Sequence, residues 1–189
     1  MRDELAEAAF ALLASQGFEE TTVDQIVAAV GMSRRTFSRY FQSKEDVVVH
    51  KLAEAGTQLC AELRARPASE PPAAALRQAL RVFTHIGGDD PAKALRIAQL
   101  ILGTPALLAR LLERQSHWQQ EMAGILAQRA RTDAEAGLYP SLAAGLTLTA
   151  FQTALRSWAD GDGAQSLDAL IDQVFAPLAS AIDRIAAKR

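Results

Sequence analysis

The sequence predicts an all-α protein: an N-terminal helix-turn-helix domain over residues 1–46, then a larger helical domain over 47–189. Three observations carry this. Apolar residues recur at steps of three and four throughout, with no alternating run and no Asn-Gly hairpin signal. Six of the seven prolines (Pro67, Pro71, Pro72, Pro91, Pro105 and Pro140) fall between these periodic segments, where helices begin or end. The breaks are closely spaced before residue 45 and widely spaced after it.

The first domain reads as three short helices over 2–16, 23–30 and 34–40. Gly17-Phe18 ends the first. Thr22 with Gln25 three residues later is a capping box that opens the second. Ile26 and Val27 begin its buried side, and Gly31 can take the left-handed conformation that stops it. Ser33 is an N-cap for the third helix. Only Gly31 and Met32 separate the second helix from that cap, which is helix-turn-helix spacing. Phe37 and Phe41 would pin the third helix inward. Its outer face then presents Arg34, Arg35, Thr36, Ser38, Arg39 and Tyr40.

Longer helices follow over 43–66, 71–86, 91–102, 104–131, 140–160 and 164–187, the first opened by Ser43 with Asp46 three residues on. In the fourth of these, Thr104, Leu108, Leu111, Gln115, Trp118, Met122 and Ile125 form one stripe. The last two carry apolar faces wider than one packing contact needs, so they ask for a partner. Pro177 falls inside the final pattern, where it should kink or restart the helix.

Composition narrows the class. Hydrophobic residues make up 49% and charged residues 22%, which excludes a disordered or collagen-like chain. The one cysteine, Cys60, excludes an intrachain disulfide. The first residues are acidic where a signal peptide is apolar, and no window approaches the roughly 20 apolar residues of a membrane span. A cytoplasmic protein is expected.

At this point the chain resembles the tetracycline-repressor (TetR) type of bacterial transcriptional regulators. The resemblance is carried by Gly17-Phe18, Thr21-Thr22-Val23, Gln25-Ile26, Gly31-Met32-Ser33, Thr36-Phe37, Tyr40-Phe41 and Ser43-Lys44-Glu45-Asp46. It covers about the first 48 residues. It implies phosphate contacts at Thr22 and Lys44. It places Arg34, Arg35 and Thr36, behind the Ser33 cap, at the front of a recognition helix, with Tyr40 near backbone or bases. Ser38 and Arg39 stand where members vary, so they are candidates for sequence choice. Three features depart from the family's pattern: Val27 and Val30 replace residues that are usually small, only Met1 and Arg2 stand where many members carry a basic arm, and Ser38 replaces a residue that is often aromatic.

The resemblance also implies a homodimer built from the last two helices and an effector pocket in the second domain. The interface candidates are Leu148, Leu155, Trp158, Ile171, Val174, Phe175, Leu178 and Ile182. The pocket candidates are Phe83, His85, Gln99, Gln115, Trp118, Met122, Phe151, Gln152 and Arg156. The expected function is a ligand-responsive repressor that binds a (pseudo)palindromic DNA operator and is released by an apolar or amphipathic small molecule. The alternative is a helical-bundle enzyme or an interaction module without specific DNA binding. No enzyme signature such as GxSxG, a P-loop or HExxH occurs. His50, His85 and His117 show no metal-ligand spacing, so no metal or other cofactor is expected.

Net charge sharpens the DNA reading. The whole chain is -2. Residues 1–50 hold five basic and eight acidic side chains, so this part is -3 and the remainder +1. The pointer to DNA is therefore local: four cations, Arg34, Arg35, Arg39 and Lys44, with no acid among them. At a Debye length of about 8–10 Å, distant acids are largely screened from that surface.

Overall fold

The structure, a computed structural model, describes residues 1–85, 90–130 and 138–186. Nine α-helices occur among the described residues: α1 (Arg2–Gln16), α2 (Val23–Ala29), α3 (Arg34–Tyr40), α4 (Lys44–Ala65), α5 (Pro72–Ala79), α6 (Pro91–Gly103), α7 (Pro105–Ala130), α8 (Leu138–Asp160) and α9 (Leu167–Ala186). A 3₁₀ segment, Leu80–His85, follows α5. The single helix expected over 71–86 is thus two elements: the α-helix stops at Ala79 and the chain tightens. Ala79, Leu80 and Phe83 stay buried across the change. A step of three residues, as from Leu80 to Phe83, keeps a side chain near one face in either geometry. Ile86, the last residue of that expected helix, lies outside the described residues.

Packing divides the chain into two compact units. The first comprises Met1–Glu54 and the described part of Gly87–Leu112; the second comprises Ala55–Ile86 and Glu113–Arg189, again as far as described. In the first unit, Leu5, Ala6 and Ala9 of α1 close over Ile26, Val27, Phe37, Phe41 and Val47. The Phe37 and Phe41 rings meet at 5.6 Å between centroids. Val27 and Val30 both belong to this cluster, one buried and the other half-buried against it, so the larger side chains are absorbed by packing. Helix α6 lies along α1 and buries Ala94, Ile97, Ala98 and Ile101.

In the second unit α8 packs along α9, and α5 also crosses α9. Polar contacts fix the direction of that crossing. The Ala73 N–H donates to Asp183 at 2.8 Å, while Arg77 donates to Asp172 at 2.5 Å and to Asp168 at 2.8 Å. Rising numbers on α5 meet falling numbers on α9, so the two helices run antiparallel. Between α4 and α5, Arg129 donates to the carbonyls of Arg66 and Pro67 at 2.7 and 2.8 Å, tying the loop that follows α4 to α7. The segment after α8 is a tight turn: Gly163 N–H reaches Trp158 O at 3.0 Å, with Asp162 at φ 49° and Gly163 at φ 73°. Helix α9 runs unbroken through Pro177, whose side chain is exposed.

Candidate DNA interface and effector core

The helix-turn-helix is fixed by its caps. Thr22 accepts from Gln25 N–H at 3.3 Å, and Gln25 Oε1 accepts from Thr22 N–H at 2.8 Å, completing the capping box. Gly31 adopts φ 63°, and Met32 N–H then reaches back to Val27 O at 2.9 Å. Ser33 Oγ accepts from Thr36 N–H at 3.1 Å and lies 3.0 Å from the Thr36 hydroxyl. The side-chain oxygens of Thr22 and Ser33 are therefore occupied at helix starts. The backbone donors around them remain suited to a phosphate.

Phe37 alone is fully buried on α3, while Arg34, Arg35, Ser38 and Arg39 are exposed and Thr36 and Tyr40 half-buried. Arg34 Nε sits 3.3 Å from Asp24 of α2, with both side chains about two-thirds exposed. Asp24 thus pairs with Arg34, a contact sequence reasoning did not assign. Arg39 donates to the Tyr40 hydroxyl at 2.6 Å and stacks on that ring, 4.7 Å from its centroid. Lys44 Nζ donates to the Phe18 and Thr21 carbonyls and lies 4.1 Å from the centroid of the Phe18 ring. Its charge holds the α1–α2 loop against the start of α4.

The pocket candidates fall into different places. Phe83, Trp118 and Phe151 come together in the second unit: Phe83 stacks on Phe151 at 4.4 Å and meets Trp118 at 5.5 Å. Met122 is fully buried one turn beyond Trp118. Gln115, one turn before Trp118, is only 8% exposed, and its Nε2 has no hydrogen-bond partner among the described residues. A buried donor left unpaired costs about 1–3 kcal/mol. Gln99 is half-buried on α6, in the first unit. The side chain of His85 lies outside the described residues. Gln152 and Arg156 line an open groove of about 580 Å³ along α8, with Thr149, Thr153, Ser157, Asp160 and Gly161.

One neighbour of the aromatic cluster, Gly56, was not singled out from sequence. A Cβ on Gly56 of α4 would lie 1.9 Å from Trp118 Nε1, so the indole rests directly on the helix backbone. Burial, with a hydrogen bond to Glu121, pushes the Cys60 thiol up to about 12, which leaves it protonated and unreactive at neutral pH. Of the interface candidates, Leu148, Trp158, Ile171, Phe175 and Ile182 are buried within the single chain. Leu155, Val174 and Leu178 are half-buried.

Comparison with known proteins decides the family. The description "Bacterial regulatory proteins, tetR family" matches residues 5–50, and "MftR C-terminal domain" of the TetR_C_14 type matches residues 70–183. The chain belongs to the TetR family. Among curated relatives, the HTH-type transcriptional regulator TcmR of Streptomyces glaucescens is 32% identical over 83% of this chain and 72% of its own length. The fold of this TetR-family member matches FadR of Bacillus subtilis, solved with stearoyl-CoA, at TM-score 0.70 and 20% identity, covering 96% of this chain and 100% of FadR. It also matches Thermus thermophilus FadR, solved with lauroyl-CoA, at TM-score 0.61 and 21% identity over 96% and 94%. This family member is a transcriptional regulator, not an enzyme. Among its described residues no single helix is long and apolar enough to cross a membrane.

Proposed function

We propose that the protein is a cytoplasmic, homodimeric repressor whose α3 reads a (pseudo)palindromic operator and whose second unit takes an apolar or amphipathic effector. The observation that carries this reading is the capped α2–turn–α3 frame with Arg34, Arg35 and Arg39 facing solvent. A helix of this size fits the major groove, where arginine holds guanine O6 and N7 bidentately. Thr22, Ser33, Thr36, Ser38, Tyr40 and Lys44 then serve backbone and groove contacts. Two such helices in a dimer must sit about 34–36 Å apart, or at a longer helical repeat, to engage both half-sites.

The dimer is built on the outward sides of α8 and α9, where Leu155, Val174 and Leu178 are incompletely covered in one chain. Molar mass in solution checks this: a monomer at working concentration contradicts it. Phe83, Trp118, Met122 and Phe151 offer an effector an aromatic and apolar wall, and Gln115 offers it a donor. The acyl-CoA esters held by the two FadR proteins are amphipathic molecules with a carbonyl, which suits such a wall. The effector releases DNA only through different affinities for the two states of the dimer.

Binding to the promoter regions of the regulator's own and neighbouring genes tests the reading. A specific complex at moderate salt is expected, weakened by stearoyl-CoA. No specific complex overturns the DNA assignment. A complex indifferent to stearoyl-CoA overturns the acyl-CoA assignment alone.

A further inference from the structure

We propose that Asp3, His50 and Glu54 form a binding site for a divalent transition metal, zinc by preference, that fastens the start of α1 to α4. This goes beyond the effector reading and does not depend on it. Asp3 lies 47 positions from His50 in sequence, and the fold brings the donor atoms of the three residues within 4.8 Å of one another. His50 Nε2 stands 3.4 Å from Asp3 Oδ1 and 3.2 Å from Glu54 Oε1. Donors about 2.0–2.1 Å from a tetrahedral zinc are separated by about 3.3 Å, so both spacings suit a shared ion.

Chemistry and charge favour a cation there. A neutral imidazole has one N–H at Nε2 at most, and that proton can point well at only one of two carboxylate oxygens. A metal at the same place serves both oxygens and the nitrogen lone pair together. The surroundings are anionic. Asp3, Glu7 and Glu54 face one ammonium, Lys51, which pairs with Glu7 at 2.5 Å and Glu54 Oε2 at 2.9 Å. Even with Arg2, whose guanidinium lies over the nearby Phe41 ring, the group carries a negative surplus.

The donors are also held in place. His50 and Glu54 are four residues apart on one face of α4, the spacing at which helices pair ligands. The His50 ring packs on Phe41, 5.6 Å between centroids, and is only 16% exposed. Lys51 holds the far oxygen of Glu54, leaving the near one free for the ion. Asp3 is 76% exposed, so the site opens to solvent on that side and water can complete the coordination. One imidazole with two carboxylates selects zinc or cobalt over magnesium and calcium, which take oxygen donors.

The test uses the full chain freed of metal by a chelator. Zn²⁺ and Co²⁺ are titrated by calorimetry, with the visible spectrum of Co²⁺ reporting nitrogen and oxygen coordination. One ion per chain is expected. Asp3→Asn and His50→Gln each weaken binding by at least about tenfold, the range for losing a metal-site contact. His117→Gln leaves it unchanged. Asp3 is exposed, so Asp3→Asn keeps the fold and carries the test should His50→Gln unfold. Binding that survives Asp3→Asn within a factor of about two, or Mg²⁺ bound as tightly as Zn²⁺, overturns the site.

Discussion

Arg39 folds its guanidinium back onto its chain neighbour, donating a 2.6 Å hydrogen bond to the Tyr40 hydroxyl and lying over that ring. The side chain proposed to choose a base is thus held against the Tyr40 ring. Holding it lowers the entropy lost on ordering a flexible arm. Replacing Arg39 with Ala should cost about 1–3 kcal/mol on the operator and relax preference at one base pair. Arg39→Lys should regain some affinity for all DNA without regaining the preference, because lysine lacks the planar fork. Binding measured on a set of single-base operator variants separates the two outcomes.

Lys44, proposed above as a DNA contact, also has a structural role. Its ammonium ties down the Phe18 and Thr21 carbonyls. Lys44→Met should therefore weaken specific and random DNA alike and also lower stability by about 1.5 kcal/mol, as expected for hydrogen bonds to a charged donor. Denaturant unfolding together with DNA titration checks both halves.

Gly56 reverses a usual rule. A helix-interior glycine changed to alanine commonly gains about 1 kcal/mol. Here the new methyl would stand 1.9 Å from the Trp118 indole nitrogen. Gly56→Ala should instead destabilise by about 1–3 kcal/mol through overpacking. In a Trp118→Phe background the penalty should shrink, which thermal unfolding of the double-mutant cycle would reveal.

The unpaired Gln115 amide predicts a trade between stability and response. Gln115→Met keeps the volume and removes the buried donor, so the melting temperature should rise. Effector-driven release of DNA should weaken in the same variant. A lower melting temperature would show that the amide already has a partner.

Acid should loosen the α4–α5 junction. The hydrogen bond from Arg66 holds the Glu70 carboxyl below the usual carboxylate range. The stability this contributes is present at neutral pH, above the unfolded value, and is lost as pH falls through the lower folded value. The gap in melting temperature between the native chain and Glu70→Gln should therefore close as pH falls below the ordinary glutamate value of about 4.3.

How much of this was legible depended on distance along the chain. The Thr22 capping box, the Ser33 cap and the Gly31 turn were readable because each rests on residues within four positions. The 3₁₀ segment was not, since Leu80 and Phe83 keep an apolar spacing common to both helix types. The wide apolar faces of α8 and α9 were visible, but width alone cannot divide residues between a chain's own core and a partner. Much of that width, including Ile171 and Phe175, is spent inside one chain. The Arg34–Asp24 pair and the Asp3–His50–Glu54 group join separate helices, and no local pattern announces them.

The anchoring of α3 has a bearing on how such a regulator acquires new targets. The helix is kept in place by Phe37, Phe41 and the Ser33 cap, while its outward residues support almost none of the fold. Positions 35, 38 and 39 can therefore be rewritten at little folding cost. Rewiring to a different operator is within reach of a few point changes, with the scaffold inherited intact.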